Sequence, residues 1–168
     1  MKTIKRRRKE SKTDYLKRIK ILKSESPRIV FRKTNKYITA QYVLSKGAQD
    51  KVVFGVTSKK LLRYGWPKEL EGSLKSISAA YLLGFLMGKK IIKERLGKPI
   101  VDFGMNRTIH KSKPYAFLKG LIDSGIKINC PEEAFPKEER IRGKNLIEDF
   151  SKFFDEIKIK IQKENNER

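Results

Sequence analysis

Arg28-Ile29-Val30-Phe31-Arg32-Lys33-Thr34, then Asn35-Lys36, then Tyr37-Ile38-Thr39-Ala40-Gln41, reads as two β-strands closed by a tight turn. The flanking residues are β-branched or aromatic in large part and suit a half-buried pleated surface. Asparagine tolerates the positive φ that a short hairpin turn asks of its central residues. With Asn35-Lys36 as the turn, Arg32 faces Thr39, Val30 faces Gln41 and Thr34 faces Tyr37. The two-residue period then gathers Ile29, Phe31, Ile38, Ala40 and Tyr42 on one face and Arg28, Arg32, Tyr37 and Gln41 on the other. A one-residue slip would mix the two sets, so the pattern specifies its own register. The polar face fits two readings: a solvated outer surface, common in antiparallel sheets, or a platform of donors for a nucleic-acid backbone.

Charge favours the second reading. The chain has 168 residues, with 41 Lys plus Arg against 19 Asp plus Glu and a formal net charge of +22. A small domain needs far less for solubility, and so much charge repels itself unless a polyanion is present. Residues 1–23 hold 11 basic and 2 acidic side chains, residues 24–136 hold 21 and 9, and residues 137–168 hold 9 and 8. The excess therefore lies in the N-terminal arm and the body. Neutralising phosphates with counterion release is the commonest use of such charge. A membrane is the competing polyanion, but the longest apolar run, Ala79 to Met87, falls well short of the ~20 residues that span a bilayer. Met1 is followed by a basic arm with no secretory signal, so a cytoplasmic location is expected.

Catalytic motifs are missing their partners. Asp102-Phe103-Gly104 matches the metal-binding tripeptide of protein kinases, yet no glycine-rich loop or His-Arg-Asp motif accompanies it. It reads as a strand end with a turn. His110 is the one histidine and Cys130 the one cysteine, so neither a zinc site nor a disulfide framework is expected, and no cofactor is implied. His110 lies in a polar loop, Asn106 to Lys113. The backbone N–H groups at the helix start that follows, flanked by Lys111 and Lys113, suit a phosphate.

Along the chain, residues 1–10 lack apolar periodicity and are expected to be disordered when free. Ser11 or Thr13 is expected to cap a helix with Tyr15, Ile19 and Leu22 as its core stripe. Val52, Phe54 and Val56 alternate as a third strand, completing an antiparallel meander. Ser76 or Ser78 opens a helix to about Leu96, whose Ala80, Gly84 and Gly88 stripe implies close packing against the sheet. Pro99 to Gly104 reads as a short buried strand, and Ser112 to Ser124 as a helix stopped by Gly125. Alternating strand and helix predicts right-handed crossovers with parallel pairing. The fold class is α/β: a mixed sheet with a three-stranded meander followed by strand-helix crossover units, a basic N-terminal arm and a helical C-terminal extension. The expected divisions are 1–26 for the arm and amphipathic helix, 27–131 for the α/β RNA-binding domain, and 132–168 for the extension. In that extension Leu146, Phe150, Phe153, Ile157 and Ile161 recur at helical spacing, as a face for the chain's own body or for a partner.

Five blocks occur together in order: Arg32 to Gln41, Ala79 to Lys90 (Ala-Ala-Tyr-Leu-Leu-Gly-Phe-Leu-Met-Gly-Lys-Lys), Val101 to Gly104, Ala116 to Gly125, and Glu139 to Gly143. With Lys12 to Tyr15 and Tyr64-Gly65-Trp66, this series resembles the archaeal and eukaryotic form of the large-subunit ribosomal protein eighteen family, over about residues 5–146. The resemblance implies a structural, non-enzymatic constituent of the large ribosomal subunit. Such a protein binds 5S rRNA and helps attach it to the large-subunit rRNA in the central protuberance, beside ribosomal protein five. It implies RNA contacts at Arg6, Arg7, Arg8 and Tyr15 on the arm, at Arg28, Arg32, Thr34, Asn35 and Lys36 on the hairpin, and at Lys111 and Lys113 before the second helix. Where many relatives have Gly-Ser-Arg, this chain has Lys111-Ser112-Lys113, so a point charge replaces a bidentate guanidinium fork. Ser78 stands where a proline is usual. A ribosome-independent basic RNA-binding or ribosome assembly protein would share the charge without sharing the ordered blocks.

Overall fold

A computed structural model describes residues 3–47, 49–146 and 150–166. A four-stranded sheet in the order β3-β2-β1-β4 is built from β1 (Arg28–Lys33), β2 (Ile38–Lys46), β3 (Gln49–Thr57) and β4 (Ile100–Asp102). β1 and β2 pair antiparallel in the register read from the sequence, Arg32 against Thr39 and Val30 against Gln41. Ile29, Phe31, Ile38, Ala40 and Tyr42 are all buried on the inner face. β2 and β3 are also antiparallel, with a bulge between Tyr42 and Val43 that pairs Tyr42 with Phe54 and Val43 with Val52. The extra residue, Val53, resets the alternation. Phe54 and Val56 therefore face the core as expected, while Val52 is turned out and exposed.

β4 lies parallel to β1. It is reached from β3 through α3 (Ile77–Lys93), and the helix α4 (Lys113–Asp123) follows it. Among the described residues this is the one parallel pair, so a single crossover forms where several were expected. Ser76 caps α3, its hydroxyl accepting from the Ala79 N–H at 3.2 Å. Gly125 ends α4 with a φ of +112°, a conformation glycine adopts without steric cost.

The small-residue stripe of α3 packs on α4, not on the sheet. A Cβ on Gly84 would overlap the Phe117 carbonyl, one on Gly88 the Ser124 side chain, and one on Gly120 the Tyr81 carbonyl. Glycines on both helices let the two backbones touch, a close approach that spacing on one helix cannot assign to a partner.

Both ends of the chain differ from their expected form. Arg6–Lys9 makes one helical turn, α1, within the arm read as disordered. The next helix, α2 (Tyr15–Leu22), is capped by Asp14, whose carboxylate accepts from the Leu16 and Lys17 N–H groups, not by Ser11 or Thr13. Ile19 is 51% exposed, and the side turned inward is Tyr15, Arg18, Ile21 and Leu22. After the short α5 (Glu138–Ile141), α6 (Phe150–Asn166) buries Phe150, Phe154, Ile157 and Ile161 in the same core cluster as the sheet. Phe150 meets Trp66 edge-on at 4.9 Å between ring centroids, and Phe154 meets Tyr81 at 5.5 Å. Phe153, assigned to the apolar stripe from its spacing, is 41% exposed, with Phe154 in its place. Accordingly, Ile157→Val should lower stability by about 0.5–1.5 kcal/mol, while Phe153→Ala should stay within about 0.5 kcal/mol of wild type. Thermal denaturation of the two variants checks the face assignment, and the reverse ranking would invert it. Among the described residues no helix is long and apolar enough to cross a membrane.

Candidate nucleic-acid interface

The hairpin tip is held by its own hydrogen bonds. The Thr34 N–H donates to the Tyr37 carbonyl at 2.9 Å, the Thr34 hydroxyl donates to that carbonyl at 2.7 Å, and the Tyr37 N–H donates to the Thr34 hydroxyl at 3.0 Å. Lys75, from the segment before α3, donates to the Asn35 carbonyl at 2.8 Å. Thr34, Asn35 and Lys36 are exposed on this rigid tip. Thr34 thus spends its hydroxyl on the turn, and Lys36 carries the tip's own charge outward.

Arg28 departs from the expected row of outward donors. It is 3% exposed, because α2 lies across its end of the outer face. Its guanidinium pairs with Asp50 at 2.6 Å and lies 3.9 Å from Asp102, and its Nε has no hydrogen-bond partner among the described residues. Asp50 also accepts from Arg18 of α2 at 2.9 Å and from the Ser45 hydroxyl at 2.9 Å. Partial burial alone would push the Asp50 carboxyl up, but these hydrogen bonds and the Arg28 charge outweigh it and hold the carboxyl below its ordinary range. Arg28 is therefore a strut that ties α2 to the sheet through a shared carboxylate.

Arg32 is half-exposed and fixed. It donates to the Phe31 carbonyl at 2.8 Å, to the Asp102 carbonyl at 3.1 Å and to the Asp102 carboxylate at 3.1 Å. Asp102, at the end of β4, also accepts from the Gly104 N–H at 2.7 Å, closing the turn expected at Asp102-Phe103-Gly104. A Cβ at Gly104 would sit 2.8 Å from the Arg32 guanidinium carbon, and Gly104 has a φ of +57°. Glycine here lets the guanidinium lie flat over the turn.

Arg7 and the outer-face arginines converge. Arg7, Lys12, Lys17, Arg18, Arg28 and Arg32 line one cleft of about 100 Å³ with Asp14 and Asp102, an excess of four positive charges. Arg8 and Tyr15 line an adjoining cleft together with Met105. The Tyr15 ring is covered by the Lys5 ammonium, 4.6 Å from its centroid. Arg6 stands apart, paired with Glu10 at 3.0 Å. Lys12 and then Arg6 hold that exposed carboxylate below its ordinary range.

Lys111 and Lys113 border a separate cleft beside Phe31 and Lys33, which belong to the opposite face of β1. The Ser112 hydroxyl bonds back to the Ile109 carbonyl and does not cap α4, leaving the first N–H groups of that helix without a side-chain cap. Burial, and after it the charges of Lys33 and Lys75, push the Lys113 ammonium below its ordinary range. Sequence reading missed Lys33, Lys75, Arg107 and Arg140 here. Lys33 occupies an inner-face position by parity, and only the end of the core at Phe31 leaves it open to solvent. Arg107 lies in the same loop as Lys111, while Lys75 and Arg140 come from segments joined to this place by the fold alone. Among the described residues no cluster of His, Cys, Asp and Glu could hold a metal ion.

Comparison with known proteins decides the family. Residues 1–98 match the family model described as ribosomal large subunit proteins 60S L5 and 50S L18. Over 141 residues the chain is 43% identical to large ribosomal subunit protein uL18 of Korarchaeum cryptofilum, covering 84% of this chain and 70% of that protein. The chain belongs to the uL18 family. It is also 36% identical to the uL18 of Methanococcoides burtonii over 161 residues, covering 93% of this chain and 91% of that protein. With the uL18 of Methanoculleus marisnigri it shares 39% identity over 143 residues, 85% and 79% of the two chains. Membership of this archaeal-type uL18 group makes the chain a structural constituent of the large ribosomal subunit, located with the ribosome in the cytoplasm, and not an enzyme. The uL18 family model spans the arm, the hairpin and α3. The ordered sequence blocks therefore identified the family correctly.

Proposed function

We propose that the chain binds 5S rRNA and helps attach it to the large-subunit rRNA in the central protuberance, beside ribosomal protein five. The observation that carries this reading is the convergence of arm, α2 and hairpin cations around the outer-face cleft, with a second cationic cleft bordered from the other face of β1. Two such surfaces on one small body suit a protein that holds two RNA segments at once. Backbone phosphates meet Arg6, Arg7, Arg8 and Arg32 on one side and Lys111 and Lys113 on the other. Asn35 and Lys36 reach outward from the tip, Thr34 holds the tip's shape, and Tyr15 anchors the arm. Arg28 acts from within, by fixing α2 and Asp50 where Arg18 and Arg32 can be presented. The divisions 1–26, 27–131 and 132–168 then separate an RNA-clasping arm, an RNA-binding body and a packed extension.

Competition binding tests the reading. A 5S transcript should hold the protein at salt concentrations where an equally long RNA of unrelated fold has let go, since shape and positioned contacts add to the general phosphate term. Equal retention of both RNAs would overturn 5S recognition and leave a general RNA binder.

A further inference from the structure

The cleft bordered by Lys111 and Lys113 is larger and chemically different from the one on the outer face. Its volume is about 540 Å³, against about 100 Å³ for the other. The larger falls within the ~300–1,000 Å³ range of ligand-binding clefts, and the smaller falls below it. Phe31, Ile77 and Pro114 lie among its lining residues, and Met105 and Ile109 join them, 52% and 62% exposed. Lys33, Arg107, Lys111, Lys113 and Arg140 line it as well, with no carboxylate among them. Among the described residues none of these five cations has a carboxylate within ion-pair distance.

The segment bearing Met105 and Ile109 is already set. The Asn106 amide donates to the Phe103 carbonyl at 2.9 Å, the Lys111 N–H donates to the Ala134 carbonyl at 2.8 Å, and the Ser112 hydroxyl donates to the Ile109 carbonyl. Lys111 is held at a φ of +60°. A bare phosphate would use the cations and leave two large aliphatic side chains in water. An unpaired nucleotide uses both, because it joins an anionic linkage to a flat apolar face.

We propose that this cleft receives one unpaired RNA nucleotide, its base seated against Met105 and Ile109 and its flanking phosphates on the surrounding cations. The proposal rests on the RNA-binding role above and goes beyond it by assigning a base where charge alone assigns only phosphate. An acidic segment of a neighbouring protein is the rival occupant. The absence of any lining carboxylate among the described residues and the +22 of the whole chain match RNA, the polyanion of the particle to which the family belongs.

The test pairs two double variants with 5S RNA carrying 4-thiouridine. Met105→Ser with Ile109→Ser should weaken 5S RNA binding about tenfold, the scale of returning roughly 55 Å² of buried apolar surface to water, with no change in the slope of log affinity against log salt. It should also abolish photocross-links between unpaired uridines and residues 103–113. Lys111→Ala with Lys113→Ala should instead flatten the slope by about one to two units. Met105 and Ile109 are over half exposed, so an unchanged melting temperature serves as the folding control. Wild-type 5S affinity and normal incorporation in the apolar variant would overturn the proposal and leave a phosphate site. Wild-type 5S affinity with lost incorporation, and no cross-link from residues 103–113 to either RNA in wild-type subunits, would overturn it in favour of a protein partner. If the wild-type chain shows no preference for 5S RNA yet this cleft cross-links to an unpaired nucleotide of the large-subunit RNA in assembled subunits, the 5S reading falls and the cleft assignment stands.

Discussion

Raising the salt from about 50 to about 200 mM should weaken binding of 5S RNA by about 10³ to 10⁵-fold, the change expected when 6–10 phosphates are neutralised. The cationic side chains needed are present: five of the six that line the outer cleft reach it from the arm, α2 and Arg32, and five line the second cleft without a carboxylate among them. Arg28, the sixth of the first group, is buried and contributes through its neighbours. Removing a single cation that neutralises a phosphate should reduce the slope of log affinity against log salt by somewhat under one unit. Deleting residues 1–10 removes Arg6, Arg7 and Arg8 with three lysines and one glutamate, so the slope should fall by several units. Affinity that does not change with salt would exclude phosphate neutralisation as the driving term.

Phe31→Ala and Arg32→Ala should separate stability from binding, although the residues are neighbours. Phe31 is fully buried between the Phe103 ring at 5.6 Å and the Phe117 ring at 4.9 Å, so its loss should cost about 3–5 kcal/mol of stability. Arg32→Ala should weaken RNA binding by about 1–3 kcal/mol. Its effect on stability is expected to be smaller but not zero, because the Arg32–Asp102 pair at 3.1 Å closes the turn after β4. Arg32 is half-exposed but the Asp102 carboxylate is buried, so withdrawing one of its partners should cost about 1–3 kcal/mol, limited by the Gly104 N–H that it still accepts from and by Arg28 at 3.9 Å. Chemical denaturation and RNA titration of both variants check the split. Equal stability losses would mean that the two faces of β1 are exchanged.

Much of the fold was legible because local rules and burial agree there. The hairpin register follows from a two-residue period anchored by one turn, and the structure keeps Ile29, Phe31, Ile38, Ala40 and Tyr42 buried. The helix from Ser112 to Ser124 was legible from Tyr115, Leu118 and Ile122 recurring in phase and from Gly125, whose positive φ ends it. The N-terminal helix was less so: Asp14 and Thr13 are both capping residues one position apart, and only backbone geometry shows which carboxylate or hydroxyl reaches the free N–H groups. Phe153 and Phe154 are likewise adjacent aromatics, and the direction from which α6 meets Trp66 and Tyr81 selects the second.

By itself the sequence determined the α/β class, the inner and outer faces of the hairpin, the cationic excess and the family, since these follow from period, composition and colinear blocks. Only the tertiary structure decided which cations stand together and which are enclosed. Alternation places Arg28 and Arg32 on one face as equals, yet α2 covers the first and leaves the second half-exposed. Lys33, Arg107 and Arg140 are far apart in the chain and meet at one cleft because β1, the loop after β4 and α5 end at the same place. Period and charge are properties of short segments, whereas enclosure depends on what another segment lays over them, and that is set by packing across the whole chain.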